Sequence, residues 1–135
     1  MSTVLVDSNV LLDIMTADSD WLPWSQTALT DALLTGVVAI NPLIYAEVSI
    51  AYQHSAELDR VLTRLHIQRT NLPWEAAHLA GQAFLKYRRQ GGTRTSPLPD
   101  FYIGAHAQTA GLSLLTRDTQ RYRTYFPKVM LITPQ

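Results

Sequence analysis

Four acidic side chains are spaced along the chain so that an α/β fold could bring them together: Asp7, Glu47, Asp100 and Asp118. Glu47 is the most informative, because it lies in the middle of a predicted helix, residues 41–52, with apolar neighbours three and four positions away on its own face. A charge on a core-facing surface is costly without a partner, since even a neutral polar group costs on the order of 2 to 7 kcal/mol. The partner that we expect is a metal ion shared by all four acids.

Carboxylates at one site repel one another and raise each other's pKa, so a shared site requires a divalent cation. Oxygen-only ligands favour Mg²⁺ or Mn²⁺ over zinc. Three small polar residues close to the acids in sequence, Ser8, Asn9 and Thr116, could donate hydrogen bonds to a ligating carboxylate or to a phosphate. These residues together predict a site for a divalent metal ion.

Each acid also has a purely structural interpretation. Asp7, Asp100 and Asp118 all precede predicted helices, where an aspartate commonly caps the helix N-terminus. Glu47 could instead form a buried ion pair with an arginine. Asp13 lies on the same helical face as Asn9 and could reach the site, but a solvated helix acid is the simpler expectation.

Other chemistries have weaker support. The chain has no cysteine, which excludes disulfides and thiolate nucleophiles. No GxSxG, Walker A or GxGxxG motif is present. The four histidines lack metal-ligand spacing and are expected at the surface or hydrogen-bonded within helices: His54, His66, His78 and His106. The aromatic residues of the helix 73–89 (Trp74, Phe84 and Tyr87) are expected to form core and interface rather than a stacking platform.

Short apolar runs alternate with helical patterns, which predicts an α/β, three-layer sandwich with a mainly parallel central sheet of four to five strands flanked by helices. Strands are predicted over 3–6, 37–40, 113–115 and 129–132, with a weak extended segment at 67–69. Helices are predicted over 8–15, 18–35, 41–52, 56–65, 73–89, 100–110 and 118–125. The segment from Gly91 to Pro99 is predicted to be a mobile loop beside the site. Because ligands bind outside the carboxyl ends of parallel strands, Asp7 and Asp118 should point to one edge of the sheet.

Length and composition predict a single domain over residues 1–135, without a signal peptide or membrane span, and a cytoplasmic location is expected. The charges are unevenly divided. Three arginines and nine acids precede Lys86, a net charge of −6, whereas eight bases and two acids follow from Lys86 onward, a net charge of +6. The basic half could attract a polyanion, although the charges alone favour an ordinary solvated surface.

Four sequence motifs surround the acids: VLVDSNVLLD at Asp7, PLIYAEV at Glu47, LPDFYIGAHA at Asp100 and LLTRD at Asp118. Together they resemble the PIN-domain ribonucleases, and most closely the VapC toxins of bacterial type II toxin–antitoxin systems. The resemblance spans nearly the whole chain, with all four motifs in the family's order. Each motif alone would be weak evidence, but the set is specific.

The resemblance implies that the four acids form a catalytic, metal-binding quartet supported by Ser8, Asn9 and Thr116. It further implies Mg²⁺- or Mn²⁺-dependent cleavage of single-stranded RNA, a toxin homodimer, and silencing by the C-terminal peptide of a cognate VapB antitoxin. A metal at such a site would activate water, and a carboxylate that is not a ligand could accept its proton. Arg94 and Arg117 are candidates for RNA phosphate contacts, since guanidinium groups bind phosphate oxygens bidentately.

Two other classes of function remain open at this point. The chain could be a non-catalytic PIN-like module that binds RNA or protein. A phosphoaspartyl enzyme using Asp7 is a weaker alternative, because Asn9 stands where the haloacid-dehalogenase-like phosphatases have a second aspartate.

Overall fold

The sheet at the centre of the computed structural model, which describes residues 2–95 and 98–134, has five parallel strands. The strands are β1 (Ser2–Val6), β2 (Gly36–Ile40), β3 (Gln68–Arg69), β4 (Ser113–Leu115) and β5 (Leu131–Ile132). Their spatial order is β3-β2-β1-β4-β5. The consecutive β1 residues Val4, Leu5 and Val6 are all buried, and their side chains alternate between faces, so both faces of the sheet are covered. The predicted α/β fold with a parallel sheet is confirmed.

Seven α-helices flank this sheet. They are α1 (Ser8–Met15), α2 (Leu22–Thr35), α3 (Pro42–Val48), α4 (Ser55–Arg64), α5 (Trp74–Arg89), α6 (Pro99–Ala110) and α7 (Gln120–Tyr125), and a 3₁₀ turn over Ser49–Ala51 follows α3. Among the residues described, no helix is long and apolar enough to cross a bilayer.

Two helices begin two or more residues later than predicted, in each case because a polar side chain binds the backbone N–H groups of a preceding turn. The Asp18 carboxylate accepts hydrogen bonds from the backbone N–H groups of Asp20 and Trp21, which holds a turn, and α2 therefore begins only at Leu22. The backbone N–H of Asp118 is bound by the Thr116 hydroxyl, and α7 begins at Gln120. The alternative interpretation, in which Asp118 serves as a helix N-cap, is therefore wrong, because Thr119 is the N-cap of α7.

The helix that carries Glu47 is shorter than the predicted 41–52. Asn41 caps it as expected, because its side-chain oxygen accepts a hydrogen bond of 3.0 Å from the Ile44 N–H. The α-helix ends at Val48, and the following turn leaves Ile50 81% exposed. The part of the expected apolar face that precedes this turn, around the buried Ile44, packs into the core, and the part within the turn does not.

The chain order of the strands places a switch point between β1 and β4. From β1 the chain proceeds to β2 on one side, whereas β4 lies on the other side and pairs with β1 in the register Val6–Leu115. Open parallel sheets bind ligands at the carboxyl edge beside such a point. Asp7 and Thr116 are the first residues beyond these two strands, so the fold brings them side by side.

The segment predicted as a loop, 91–99, is partly outside the described residues, because Ser96 and Pro97 are not described. Residues 91–95 form neither helix nor strand, and α6 begins at Pro99. The mobility of this loop stays a prediction.

Candidate active site at the carboxyl edge of the sheet

Asp7 is the centre of the site and is only 3% exposed. Its Oδ1 accepts a hydrogen bond of 2.8 Å from the Ser8 backbone N–H, which makes Asp7 the N-cap of α1 as well as a site residue. Its Oδ2 accepts from the Tyr122 hydroxyl at 2.8 Å, from the Thr116 hydroxyl at 2.9 Å, and more weakly from Asn9 Nδ2 at 3.4 Å. The carboxylate is thus held in one orientation by four residues from three segments of the chain.

The predicted supporting residues all contact the site. Asn9 Nδ2 donates to Thr116 Oγ1 at 3.2 Å, and Asn9 Oδ1 accepts from the Arg117 backbone N–H at 3.1 Å. Asn9 therefore connects the N-terminal end of α1 to the segment that follows β4. The Ser8 hydroxyl donates a 3.0 Å hydrogen bond to Glu47 Oε1, which links α1 to α3.

Glu47 is half-buried, and its hydrogen-bond partner is Ser8 rather than a base. No ion pair to Glu47 occurs within residues 2–95 and 98–134, so the described part of the chain does not support the alternative of a buried pair with arginine. Burial raises the pKa of Glu47, and the charges of Asp7 and Asp100 raise it further.

Asp100 and Asp118 complete the acidic cluster from the other side of Asp7. Asp100 lies in the first turn of α6, one residue past its start. The N-cap position is occupied by Leu98, so the alternative interpretation of Asp100 as a cap residue is wrong. Asp118 is exposed, and its charge acts on both Asp7 and Asp100. Arg121 Nε lies 4.0 Å from Asp100 Oδ2 and is the nearest base in the described structure.

The mutual influence of the carboxylates is visible in their pKa values. Burial, followed by the charge of Asp7, raises the pKa of Asp100 to about 6, although Arg121 opposes the shift. Burial also raises the pKa of Asp7 despite its hydrogen bonds to Tyr122 and Thr116. The site therefore contains more negative charge than its single nearby guanidinium neutralises, which is the electrostatic setting for a bound cation.

These residues fit Mg²⁺ or Mn²⁺ by chemistry, because every charged donor is a carboxylate oxygen. The side chains are not arranged as a finished ligand shell: among the described residues, no three acidic or histidine side chains lie close enough together to hold a metal ion. Asp7 Oδ2 is directed at Tyr122 and Thr116 instead. Metal binding would require these carboxylates to rotate or approach one another.

Asp13 and Arg117 differ from their predicted roles. Asp13 is buried rather than solvated, and it accepts from Arg117 Nε at 2.6 Å, from Arg117 Nη2 at 2.9 Å and from the Ser25 hydroxyl at 2.6 Å. The Arg117 guanidinium also stacks over the Trp21 ring at 4.8 Å. Arg117, a candidate for RNA contact, is thus largely occupied by the protein itself, whereas the other candidate, Arg94, is exposed.

Two residues of the site were not anticipated from the sequence, Tyr122 and Arg121. Tyr122 is fully buried, and burial raises the pKa of its hydroxyl well above the usual value, with the charges of Asp7 and Asp100 adding to the shift. The hydroxyl therefore stays protonated and donates to Asp7. The sequence contains one indication of their role. Both residues lie in α7, next to each other and three to four residues after Asp118.

The histidines lie at the surface or are hydrogen-bonded, as predicted. His54, His66 and His78 are exposed. His106 is buried and lies 3.0 Å from Asn41 Nδ2 through its Nδ1. Because Asn41 caps α3 and His106 lies in α6, this contact ties together the helices that carry Glu47 and Asp100.

A known class of protein domain has these features: a parallel sheet, a switch point in its strand order and four acids around that point. A family model described as the PIN domain matches residues 4–127, and the chain belongs to this family. The predicted PIN-like fold is thereby confirmed. A search of curated protein sequences gave no match.

Solved structures with the same fold include toxin–antitoxin complexes and a toxin. The chain is similar to VapBC2 from Rickettsia felis bound to a promoter DNA fragment, with 14% identity, 98% of this chain and 99% of that chain covered, and a TM-score of 0.75. It is also similar to a toxin–antitoxin complex from Klebsiella pneumoniae, with 23% identity, 98% of each chain covered and a TM-score of 0.70. A third similar structure is Mycobacterium tuberculosis VapC20, described as a Sarcin-Ricin loop cleaving toxin, with 15% identity, 94% and 98% covered, and a TM-score of 0.60.

Proposed function

We propose that this chain is a Mg²⁺- or Mn²⁺-dependent endoribonuclease and the toxin component of a VapBC-type toxin–antitoxin pair. The observation that carries the proposal is the excess of carboxylate charge around Asp7, with the raised pKa values of Asp7, Glu47 and Asp100. Membership of the PIN domain family supports a nuclease, and the VapC20 structure supports RNA as the substrate class.

In this proposal Asp7, Glu47, Asp100 and Asp118 form the metal site, in which at least one of the four carboxylates does not bind the ion directly. When bound, the ion would supply an activated water and neutralise charge on the scissile phosphate. A quartet carboxylate that is not itself a ligand accepts the proton of the attacking water. Thr116, Asn9 and the Tyr122 hydroxyl keep Asp7 oriented, and Ser8 does the same for Glu47.

The partners follow from the structures with the same fold, several of which are complexes with an antitoxin. We propose that a VapB-type antitoxin silences this chain by placing an arginine or lysine among the four carboxylates, where the excess negative charge would bind it. A homodimer is the proposed assembly, and measurement of molar mass in solution by light scattering tests it. We also propose a cytoplasmic location, where a toxin of this kind would meet its RNA substrate.

The proposal is tested by cleavage of single-stranded RNA by the wild type and by Asp7→Asn and Asp100→Asn variants, with Mg²⁺, Mn²⁺ or EDTA. Asp31→Asn is the matched control, because Asp31 is an exposed acid of α2. We expect metal-dependent cleavage and growth inhibition by the wild type and the control, and neither by the two site variants, with unchanged circular dichroism. Full activity in both site variants would refute the proposal.

A second function has one specific observation in its favour. Asp7 is already satisfied by hydrogen bonds, and the described side chains do not form a metal-ligand set, as expected for a non-catalytic PIN-like module that binds RNA or protein. Calorimetric titration with Mn²⁺ separates the two. Binding of Mn²⁺ that is lost in Asp7→Asn supports the nuclease, whereas RNA affinity without Mn²⁺ binding supports the module.

A further inference from the structure

A cleft of about 350 Å³ opens beside the acidic cluster, with Asp100 and Asp118 on one wall. Pockets that bind small molecules span roughly 300 to 1,000 Å³, so this cleft can accept one small planar ligand. Its remaining walls come from the end of α5 and from α7. The side chains that form them are Tyr87, Gln120, Arg121, Thr124 and Tyr125.

Two tyrosines give the cleft an aromatic surface that the core holds in place. The rings of Tyr87 and Tyr125 lie 6.3 Å apart in an edge-to-face arrangement, and each contacts the fully buried Phe101, at 5.7 Å and 5.4 Å. Both tyrosines are half-buried, so part of each ring is accessible from the cleft. Preorganised aromatic rings of this kind are what proteins use to stack unpaired nucleobases.

Arg121 adds a donor without a protein partner. Its guanidinium is held over the rings of Tyr87 and Phe101 at 5.4 Å and 5.1 Å, and its Nη1 is buried with no hydrogen-bond partner in the described part of the chain. A buried donor of this kind is costly unless an incoming acceptor satisfies it. The oxygens of a nucleotide are such acceptors, whereas an arginine or lysine side chain of a peptide is not.

The rim of the cleft carries groups that can distinguish bases. Gln120 and Thr124 are four positions apart on α7, so they project from the same face of the helix. Both are exposed. The Gln120 amide can donate and accept hydrogen bonds, whereas the Thr124 hydroxyl donates to the Gln120 backbone carbonyl at 2.8 Å and therefore offers an acceptor. Single-stranded RNA is recognised by this combination of stacking and hydrogen bonds to base edges.

We infer that this cleft is a nucleobase subsite for single-stranded RNA, adjoining the place where Asp100 and Asp118 meet the scissile phosphate. Tyr125 stacks the base, Tyr87 holds the Arg121 guanidinium in place, Arg121 binds a nucleotide oxygen, and Gln120 and Thr124 determine base preference. The inference rests on the proposed function and deepens it, because it assigns the element that selects the cleaved sequence.

Fluorescence anisotropy with short labelled homopolymers of adenylate, cytidylate or uridylate tests the subsite, with Ca²⁺ replacing Mg²⁺ so that binding is measured without turnover. The variants are Tyr125→Leu and Gln120→Ala. Their matched controls are Tyr52→Leu, at a half-buried tyrosine outside the cleft, and Gln82→Ala, at an exposed glutamine of α5. Gln120 is exposed, so Gln120→Ala is expected to fold even if Tyr125→Leu does not.

We expect Tyr125→Leu to weaken RNA binding by about 5- to 150-fold, the loss typical of one stacked base, and Gln120→Ala to change the order of preference among the three homopolymers. The controls should bind as the wild type does. If both cleft variants keep the affinity and base preference of the wild type, the inference is wrong and the cleft is better explained as a peptide-binding site. The absence of RNA binding by the wild type would also overturn the inference.

Cleavage assays with the same proteins separate this inference from the proposed function. RNA binding that depends on the cleft, without metal-dependent cleavage, supports the subsite and refutes the nuclease. Metal-dependent cleavage that is unaffected in rate and sequence preference by both cleft variants supports the nuclease and overturns the subsite.

Discussion

The Tyr122 hydroxyl donates a 2.8 Å hydrogen bond to Oδ2 of Asp7, joining α7 to the end of β1 across 115 residues of sequence. Both groups are buried, so the bond forms where water does not compete. This single contact fixes the direction in which the central carboxylate of the site points. It also determines which of the Asp7 oxygens would be available to a ligand.

Removing this hydroxyl should affect both stability and the pH dependence of activity. Tyr122→Phe is expected to lower the free energy of unfolding by about 1 to 3 kcal/mol, since it removes a buried hydrogen bond to a carboxylate. The bond lowers the pKa of Asp7, so its loss should also move the acidic limb of the pH–rate profile to higher pH. Urea denaturation and pH–rate measurements check the two effects.

Tyr125→Phe on the same helix is the control, because the Tyr125 hydroxyl binds Gln90 at the surface. Its effect on stability should be within about 0.5 kcal/mol. If both variants lower the free energy of unfolding by the same amount, the contact with Asp7 contributes no more to stability than the surface contact with Gln90 does.

Asp100 should make the metal-free protein less stable as the pH rises. The folded protein keeps the Asp100 proton up to about pH 6, whereas 3.8 is the ordinary pKa of an aspartate in the unfolded chain. Between these values the folded state binds more protons, so the contribution of Asp100 to the free energy of unfolding falls with increasing pH and stays unfavourable above about pH 6.

Asp100→Asn removes this penalty. In EDTA at pH 7 the variant should therefore be more stable than the wild type, and near pH 4 the difference should vanish. Urea denaturation at a series of pH values measures it. A variant that is less stable than the wild type at pH 7 would contradict the raised pKa.

The buried pair Asp13–Arg117 should matter more for stability than the exposed pair Asp59–Arg69. The Asp13 side chain is 4% exposed, whereas that of Asp59 is 44% exposed. Arg117→Met leaves a buried carboxylate without its partner and should cost about 3 kcal/mol, whereas Arg69→Met should cost less than about 1 kcal/mol. Thermal and urea unfolding of both variants give the comparison, and similar losses would contradict it.

Divalent metal should stabilise the folded protein through the quartet. Ligands that bind only the folded state raise the unfolding temperature with concentration. Mn²⁺ should therefore raise the melting temperature of the wild type and of Asp31→Asn, but not that of Asp7→Asn. An equal rise in all three proteins would place the metal elsewhere on the surface.

Much of the fold was predictable because the strands of a buried parallel sheet are short continuous apolar runs, as in residues 3–6 and 113–115. The acids were predictable because Asp7 directly follows such a run and Glu47 interrupts an apolar helix face. Helix ends were less predictable where a polar side chain forms a competing local turn, as Asp18 does before α2.

The contacts that tie the site together were not predictable from spacing. Tyr122 meets Asp7, and Arg117 meets Asp13, only after the chain has brought β4 beside β1. The local sequence around a tyrosine or arginine does not indicate whether that residue contacts a buried acid or lies at the surface. The pairing of Arg117 with Asp13 is therefore a tertiary contact that only the structure reveals.

In the proposed function, the four carboxylates gather around a divalent cation. A crystal structure of the protein soaked in Mn²⁺, with anomalous scattering, tests it most directly. We expect an ion within about 2.1 Å of carboxylate oxygens from Asp7 and at least one of Glu47, Asp100 and Asp118. An acidic cluster without an anomalous peak, in which Asp7 still binds only Ser8, Asn9, Thr116 and Tyr122, would contradict the claim.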